Sequence, residues 1–227
     1  MKTTRILNLL VGLSLVLAGC GVNKSIHVAD GEVLESGRST VNGNVSIGAG
    51  CEVRGACRTV NGRVTVGAGS RVGGLQTVNG SIKLADEVSV DGDLGTVNGS
   101  ITLAENVTVD GSVDTVNGSF AIEPGGSISS DVATVNGSIR VTSSRVGGSL
   151  FTTNGDISLL DHSQVAGDVI VKGKTRHDRK HREIRISGGS VVEGDIIVRY
   201  AKRKVTVILS DGGQVKGEIR NAEVIEE

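Results

Sequence analysis

A four-residue sequence, Thr-Val-Asn-Gly, recurs six times in the middle of the chain and constrains its architecture more than any other feature. The copies begin 18 or 19 residues apart, and a seventh, degenerate copy reads Thr-Thr-Asn-Gly. A period this short cannot enclose a core of its own, so each repeat has to bury its apolar side against its neighbours. We therefore expect a solenoid. The copies begin at Thr40, Thr59, Thr77, Thr96, Thr115, Thr134 and Thr152.

Aliphatic residues within the repeat follow a spacing of six. The clearest run has Val60, Val66, Val72 and Val78 six apart, with Val64 two residues before Val66, and we expect these side chains to stack in the core. A Val-x-Val strand points both valines to one side before the chain turns, and three such hexads make a triangular coil. The pattern predicts an all-β, single-stranded solenoid β-helix with 18–19-residue triangular coils, about 4.8 Å apart, over residues 24–221.

Nineteen-residue coils hold one residue more than three hexads. The extra residue comes just before the Val of each Thr-Val-Asn-Gly copy, and we interpret it as a bulge near the Thr. It breaks the strict hexad that left-handed β-helices favour, so a right-handed course is favoured. The sequence does not decide whether the threonines face the core or the solvent.

The Asn-Gly pair of each copy predicts a turn, because both residues tolerate a positive φ. Stacked coils would place the asparagines in one row, with amides that bond from coil to coil. The alternatives are a ligand-binding row and, where Ser follows, glycosylation acceptors; a turn explains the pattern more simply. The predicted row is Asn42, Asn61, Asn79, Asn98, Asn117, Asn136 and Asn154.

The first residues are typical of an export signal. Lys2 and Arg5 precede an apolar run, Leu9 to Leu17, that is too short to span a bilayer. The run ends in Leu17-Ala18-Gly19-Cys20, which resembles the bacterial lipobox.

That resemblance implies three things. Residues 1–19 would be removed as a lipoprotein signal peptide, Cys20 would carry palmitate-type acyl chains, and residues 20–23 would tether the solenoid to a membrane. Gly21 in the next position implies the outer membrane if the envelope is Gram-negative, on its periplasmic or surface side.

The solenoid pattern itself resembles two bacterial families. Short hexad-based coils with glycine at the corners resemble bactofilins, polymer-forming proteins with a right-handed β-helix, and the repeat is similar to that of bacterial adhesins built from short β repeats. The resemblance covers residues 24–221 and departs from bactofilins at Cys20, since they lack a lipobox. Ile47-Gly48-Ala49-Gly50 also resembles the hexapeptide acyltransferases, but export and the absence of a recurring His disfavour that enzyme.

A basic insertion interrupts the repeat at residues 172–183. Residues 172–204 hold 11 Lys or Arg against 4 Asp or Glu, whereas the rest of the chain holds 13 against 21. We expect either a solvated loop or a site for anionic lipid or an envelope polymer; nucleic acid is not expected, because the chain is exported and poor in aromatic residues. The anion-binding candidates are Lys172, Lys174, Arg176, Arg179, Lys180, Arg182, Arg199, Lys202, Arg203 and Lys204.

Two cysteines, Cys51 and Cys57, fall in one coil at positions that later coils fill with Val107 and Val113. Both should point inward. A disulfide and two free thiols are the alternatives, because residues six apart straddle a corner and approach the geometric limit for a bridge.

No metal or cofactor site is expected. His177 and His181 with Asp178 form a weak candidate on the insertion. Calcium-binding β-rolls place Asp beside Gly as this chain does at three positions, but the Gly-Gly-x-Gly-x-Asp repeat of those proteins is missing. The three positions are Asp91, Asp93 and Asp110.

These features favour a non-enzymatic, lipid-anchored envelope protein that acts as a scaffold or adhesion module. Self-association would use the open strand edges at the ends of the solenoid, one of which an acidic tail, residues 222–227, would cap. The alternative is a binding module for anionic lipid or envelope polysaccharide. An enzyme acting on polysaccharide is a third hypothesis, since paired carboxylates on outer faces have no sequence signature.

Overall fold

The computed structural model of the protein describes residues 23–173, 181–199 and 205–227. These residues form 31 short β-strands and no helix. The strands lie in three parallel sheets, which we call faces 1, 2 and 3. The all-β solenoid predicted from the repeat is confirmed.

Strands are numbered along the chain. Face 1 contains β1 (Ile26–Val28), β4 (Val45–Ile47), β7 (Val64–Val66), β10 (Ile82–Leu84), β13 (Ile101–Leu103), β16 (Phe120–Ile122), β19 (Ile139–Thr142), β22 (Ile157–Leu160), β25 (Arg182–Ile186), β28 (Val205–Leu209) and β31 (Glu223–Glu226). Face 2 contains β2 (Val33–Leu34), β5 (Glu52–Val53), β8 (Arg71–Val72), β11 (Ser89–Val90), β14 (Thr108–Val109), β17 (Ser127–Ile128), β20 (Arg145–Val146), β23 (Gln164–Val165), β26 (Val191–Val192) and β29 (Gln214–Val215). Face 3 contains β3 (Ser39–Asn42), β6 (Cys57–Asn61), β9 (Leu75–Thr77), β12 (Leu94–Thr96), β15 (Val113–Thr115), β18 (Val132–Thr134), β21 (Leu150–Thr152), β24 (Val169–Lys172), β27 (Ile196–Arg199) and β30 (Ile219–Arg220).

Consecutive strands lie on faces 1, 2 and 3 in turn, so each strand pairs with the third one after it. All pairings are parallel. On face 3, for example, Leu94 is the Cα partner of Leu75 on one side and of Val113 on the other. The chain thus completes ten stacked coils, which at the spacing of β-strands gives a rod about 45 Å long.

The coils share one continuous core, into which a complete coil sends three pairs of side chains. In the coil of β10 to β12, the six inward side chains are at most 3% exposed, and each face contributes two of them. They belong to Ile82, Leu84, Val88, Val90, Leu94 and Thr96.

The threonine of the repeat, and not the valine, completes the core. Thr96 is fully buried, and its Oγ1 donates a hydrogen bond of 2.9 Å to the carbonyl oxygen of Gly80 in the preceding coil. The equivalent bond recurs in the other copies at 2.8–3.4 Å. Val60 and Val78 are half-buried and lie outside the core cluster, so their prediction as inward hexad positions was wrong: alternation along the strand turns Val outward once Thr faces inward.

The extra residue of the nineteen-residue coil lies in a corner. At the corner between β12 and β13, the residues from Val97 to Ser100 lie between the inward residues Thr96 and Ile101. Each of the other two corners in the coil of β10 to β12 has one residue fewer between its inward residues. The predicted bulge is therefore a longer corner immediately after the Thr.

The Asn-Gly pairs do not use a positive φ, contrary to our prediction. None of them, all within the described residues, has one. Glycine is required for another reason: a Cβ on Gly99 would lie 1.9 Å from the carbonyl oxygen of Gly80, so the coils meet there backbone to backbone. Positive φ occurs mainly between faces 1 and 2, as at Gly69 and Glu87; at the corner between faces 3 and 1, Asn23 and Asn221 have it.

The predicted acidic tail continues the solenoid. Its residues form β31, which pairs with β28 on face 1. Val224 takes the inward register position beside Val207, although 43% of it is exposed. The β-helix thus extends beyond residue 221, because the tail has the inward-outward alternation of a strand.

We predict that Gly99→Ala lowers the free energy of unfolding by about 2–3 kcal/mol, because the added methyl group forces adjacent coils apart. Gly74→Ala is the matched control: the nearest atom to its Cβ would be 3.1 Å away, and Ala56 fills the same place one coil earlier. Denaturant unfolding of the full-length chain in mild detergent, followed by circular dichroism, measures both. Equal losses would contradict the argument.

We also predict that Thr96→Val costs about 1–3 kcal/mol, because the carbonyl of Gly80 loses its hydroxyl donor while the volume of the side chain is kept. Thr96→Ser keeps the hydroxyl donor, so its free energy of unfolding should be closer to that of the wild type. If the Val variant were as stable as the wild type, the hydroxyl would not be a stabilising group.

Candidate functional site

The asparagines of the repeat form a continuous ladder along the corner between faces 3 and 1. Each Nδ2 donates to the Oδ1 of the asparagine one coil earlier, at 2.6–2.9 Å. The ladder begins at Asn23, one coil before the predicted row, where the sequence offers only a Val-Asn pair. Since every amide from Asn42 to Asn136 both donates and accepts within the row, the hydrogen bonds of the ladder join the stacked coils.

Arg182 ends this ladder. The arginine begins β25, is only 4% exposed, and donates from Nη2 to Oδ1 of Asn154 at 2.9 Å. It was predicted among the exposed anion-binding residues, and burial removes it from that group. No sequence pattern indicated this role, because the insertion shifts the register that identifies the corner.

Two predicted cations lie side by side at the end of face 3. Lys172 and Arg199 are Cα partners on β24 and β27; Lys172 is half-buried and Arg199 is exposed. Ion pairs between described residues occur elsewhere and include neither of them: Arg54 with Glu35 and Glu52, Arg71 with Asp91, Arg185 with Glu183, Lys216 with Glu193, and Arg220 with Asp195 and Glu218.

The other predicted members of the basic cluster lie outside the described residues. They are Lys174, Arg176, Arg179, Lys180, Lys202, Arg203 and Lys204, together with His177 and Asp178 of the metal candidate. Cys20 and the signal segment 1–19 also lie outside them.

The cysteines are free thiols in the structure, so the disulfide alternative is wrong for it. Cys57 faces the core from face 3, whereas Cys51 lies at the opposite side of a corner and its Sγ donates to the carbonyl oxygen of Ala29 at 3.0 Å. Burial raises the pKa of the Cys57 thiol, which keeps it protonated at neutral pH.

Within the described ranges, no group of three or more His, Cys, Asp or Glu could hold a metal ion. Asp91 pairs with Arg71, while Asp93 and Asp110 each accept a hydrogen bond from a serine one coil later. His181 contacts Oγ1 of Thr206 through Nε2, at 3.0 Å.

The same ranges hold no helix with the length and hydropathy needed to cross a bilayer.

Face 3 has an apolar outer surface that the sequence analysis missed. One part of it is the valine row, six half-buried outward valines beside the asparagine ladder: Val41, Val60, Val78, Val97, Val116 and Val135. The other part, which we call the outer column, consists of outward residues on four successive strands: Ala133, Phe151, Ile170 and Ile197. The signal was present in the repeat, because a buried Thr requires the following Val to face outward.

No protein-family model, curated protein or solved structure matches this chain. Its function has to be inferred from its own surfaces. The surfaces that the structure describes are the asparagine ladder, the apolar residues on the exterior of face 3, and the two cations at the end of face 3.

We predict that Asn98→Ala lowers the free energy of unfolding by about 1–2 kcal/mol, because two ladder hydrogen bonds are lost. Lys83→Ala, an exposed change on face 1, is the control and should change it by less than about 0.5 kcal/mol. Thermal and denaturant unfolding of both variants measure the difference, and an Asn98 variant as stable as the control would show that the ladder contributes nothing.

Proposed function

We propose that this protein is a lipid-anchored, non-enzymatic structural protein of the bacterial envelope: a scaffold or adhesion rod that associates with copies of itself. The observation that supports it best is the uninterrupted stack. One hydrophobic cluster extends from Val28 to Val207, and three sheets extend along the whole of it. Such a rod is stiff and offers a repeated surface along its length.

Self-association is supported by the end strands. Among the described residues, β1 pairs only with β4 and β31 only with β28, so one edge of each is open to a further strand. Within β31, Val224 and Ile225 are 43% and 41% exposed. An open edge with exposed aliphatic side chains favours the addition of another strand.

Anchoring and localisation are proposed from the lipobox alone. Cys20 would hold the rod on a membrane through its acyl chains, with a tether of few residues before β1. The resemblance to polymer-forming bactofilins and to adhesin repeats supports the same kind of role, in which a repetitive surface and not a catalytic centre is used.

We expect the full-length chain, in density-matched detergent, to sediment as oligomers that grow with protein concentration. Val224→Lys combined with Ile225→Lys should shift it towards the monomer, because charge blocks the edge of β31. Thr108→Lys, an exposed change in the middle of face 2, is the control. A wild type that remains monomeric at all concentrations would overturn self-association.

A second candidate function, binding of anionic lipid or envelope polysaccharide, is favoured by the cation pair of Lys172 and Arg199. Their positions on neighbouring strands bring two positive charges together at one end of face 3. The basic composition of residues 172–204 adds to them. Such binding should weaken as salt is added.

A further inference from the structure

Face 3 differs from the other two faces in what it presents to the outside. In the middle coils, face 1 presents Lys83 and Thr102 outward, and face 2 presents Arg71 and Thr108. In the same coils the outward strand residues of face 3 are Gly95 and Asp114, and Val97 and Val116 of the valine row follow them at the corner. The polar outer residues of a sheet are solvated by water. An apolar outer surface is typical of a sheet that another molecule or element covers.

Apolar outward residues occur along almost the full length of face 3, at its edge in the first six coils and on its strands from Ala133 onward. The valine row covers the first six coils, and the outer column takes over where the row ends, at Val135. Phe151 and Ile197 are half-buried, and Ile170 between them is 8% exposed, so the column is packed rather than mobile. Lys172 and Arg199 continue the line of the valine row beside it.

The charges on face 3 indicate what covers it. The charged residues at its outward strand positions are four cations, Arg58, Lys172, Arg199 and Arg220, and one anion, Asp114. Arg220 forms ion pairs with Glu218 and Asp195. A second copy packed face to face would bring like charges together, which is unfavourable. An anionic lipid surface satisfies both features, since apolar side chains enter the interface while cations meet the phosphates.

We propose that face 3 is the membrane-facing side of the rod, and that the protein lies lengthwise on an anionic bilayer with the valine row and outer column against the lipid. This inference rests on the second candidate function and is independent of self-association. The asparagine ladder then runs along the edge of the contact, and faces 1 and 2 remain turned to water.

The test places a polarity-sensitive dye on each face of one coil in the full-length chain. The three labelling variants are Val97→Cys on face 3, Thr102→Cys on face 1 and Thr108→Cys on face 2. All three carry Cys51→Val and Cys57→Val, since valine fills both positions in another coil. The vesicles contain phosphatidylcholine with or without phosphatidylglycerol, and carry a lipid-borne quencher.

We expect several-fold stronger quenching at position 97 than at 102 or 108 in vesicles with phosphatidylglycerol, and a loss of this difference in phosphatidylcholine alone. Lys172→Gln with Arg199→Gln should reduce the quenching at 97. The matched control, Arg140→Gln with Arg145→Gln, removes two exposed cations from faces 1 and 2 and should leave it unchanged.

Three results would overturn the inference. Equal quenching on all faces, or stronger quenching on another face, would show that lipid binds without face 3, while the second candidate function stands. Changes in the fluorescence of the dye at position 97 that occur without lipid and grow with protein concentration would show that a second copy covers the face. No response to anionic vesicles at any position would remove the second candidate function together with the inference; sedimentation without lipid tests the scaffold separately.

Discussion

The close contact of one glycine corner with the next is the constraint on which the structure depends. There the backbone of each coil lies directly on the backbone of the coil before it, with no space for a Cβ on Gly99 against Gly80. The same contact brings the carbonyl of Gly80 within reach of the buried hydroxyl of Thr96. One tetrapeptide therefore sets a short turn, a buried polar group and the close contact between successive coils.

The inward threonine has a consequence for the surface. Because side chains alternate along a strand, a buried Thr places the next residue outside, and the repeat fills that position with Val. The tetrapeptide thus builds three rows at once: a buried hydroxyl row, an apolar outer row and an amide ladder. The feature that holds the coils together also produces the apolar exterior of face 3, the surface for which we propose a partner.

Much of the fold could be predicted from the sequence, but the site could be predicted only in part. The 18–19-residue period requires stacked coils, and the alternation in segments such as Ile82 to Leu84 identifies inward residues. Hexad spacing misplaced Val60 and Val78, because it counts only apolar residues and treats a threonine as neutral. Arg182 was misplaced because charge suggests exposure, whereas its burial depends on a hydrogen bond to Asn154 from a coil 28 residues earlier.

The sequence by itself determined the period, the parallel stacking and the row of asparagines, because these follow from the identity of neighbouring repeats. For the strands of face 3, only the tertiary structure decided which side faces the core. That choice depends on whether a polar group finds a partner in the next coil, as Thr96 does at Gly80. It also decided which cations remain outside: Lys172 and Arg199 stay at the surface of face 3, while Arg182 enters the stack.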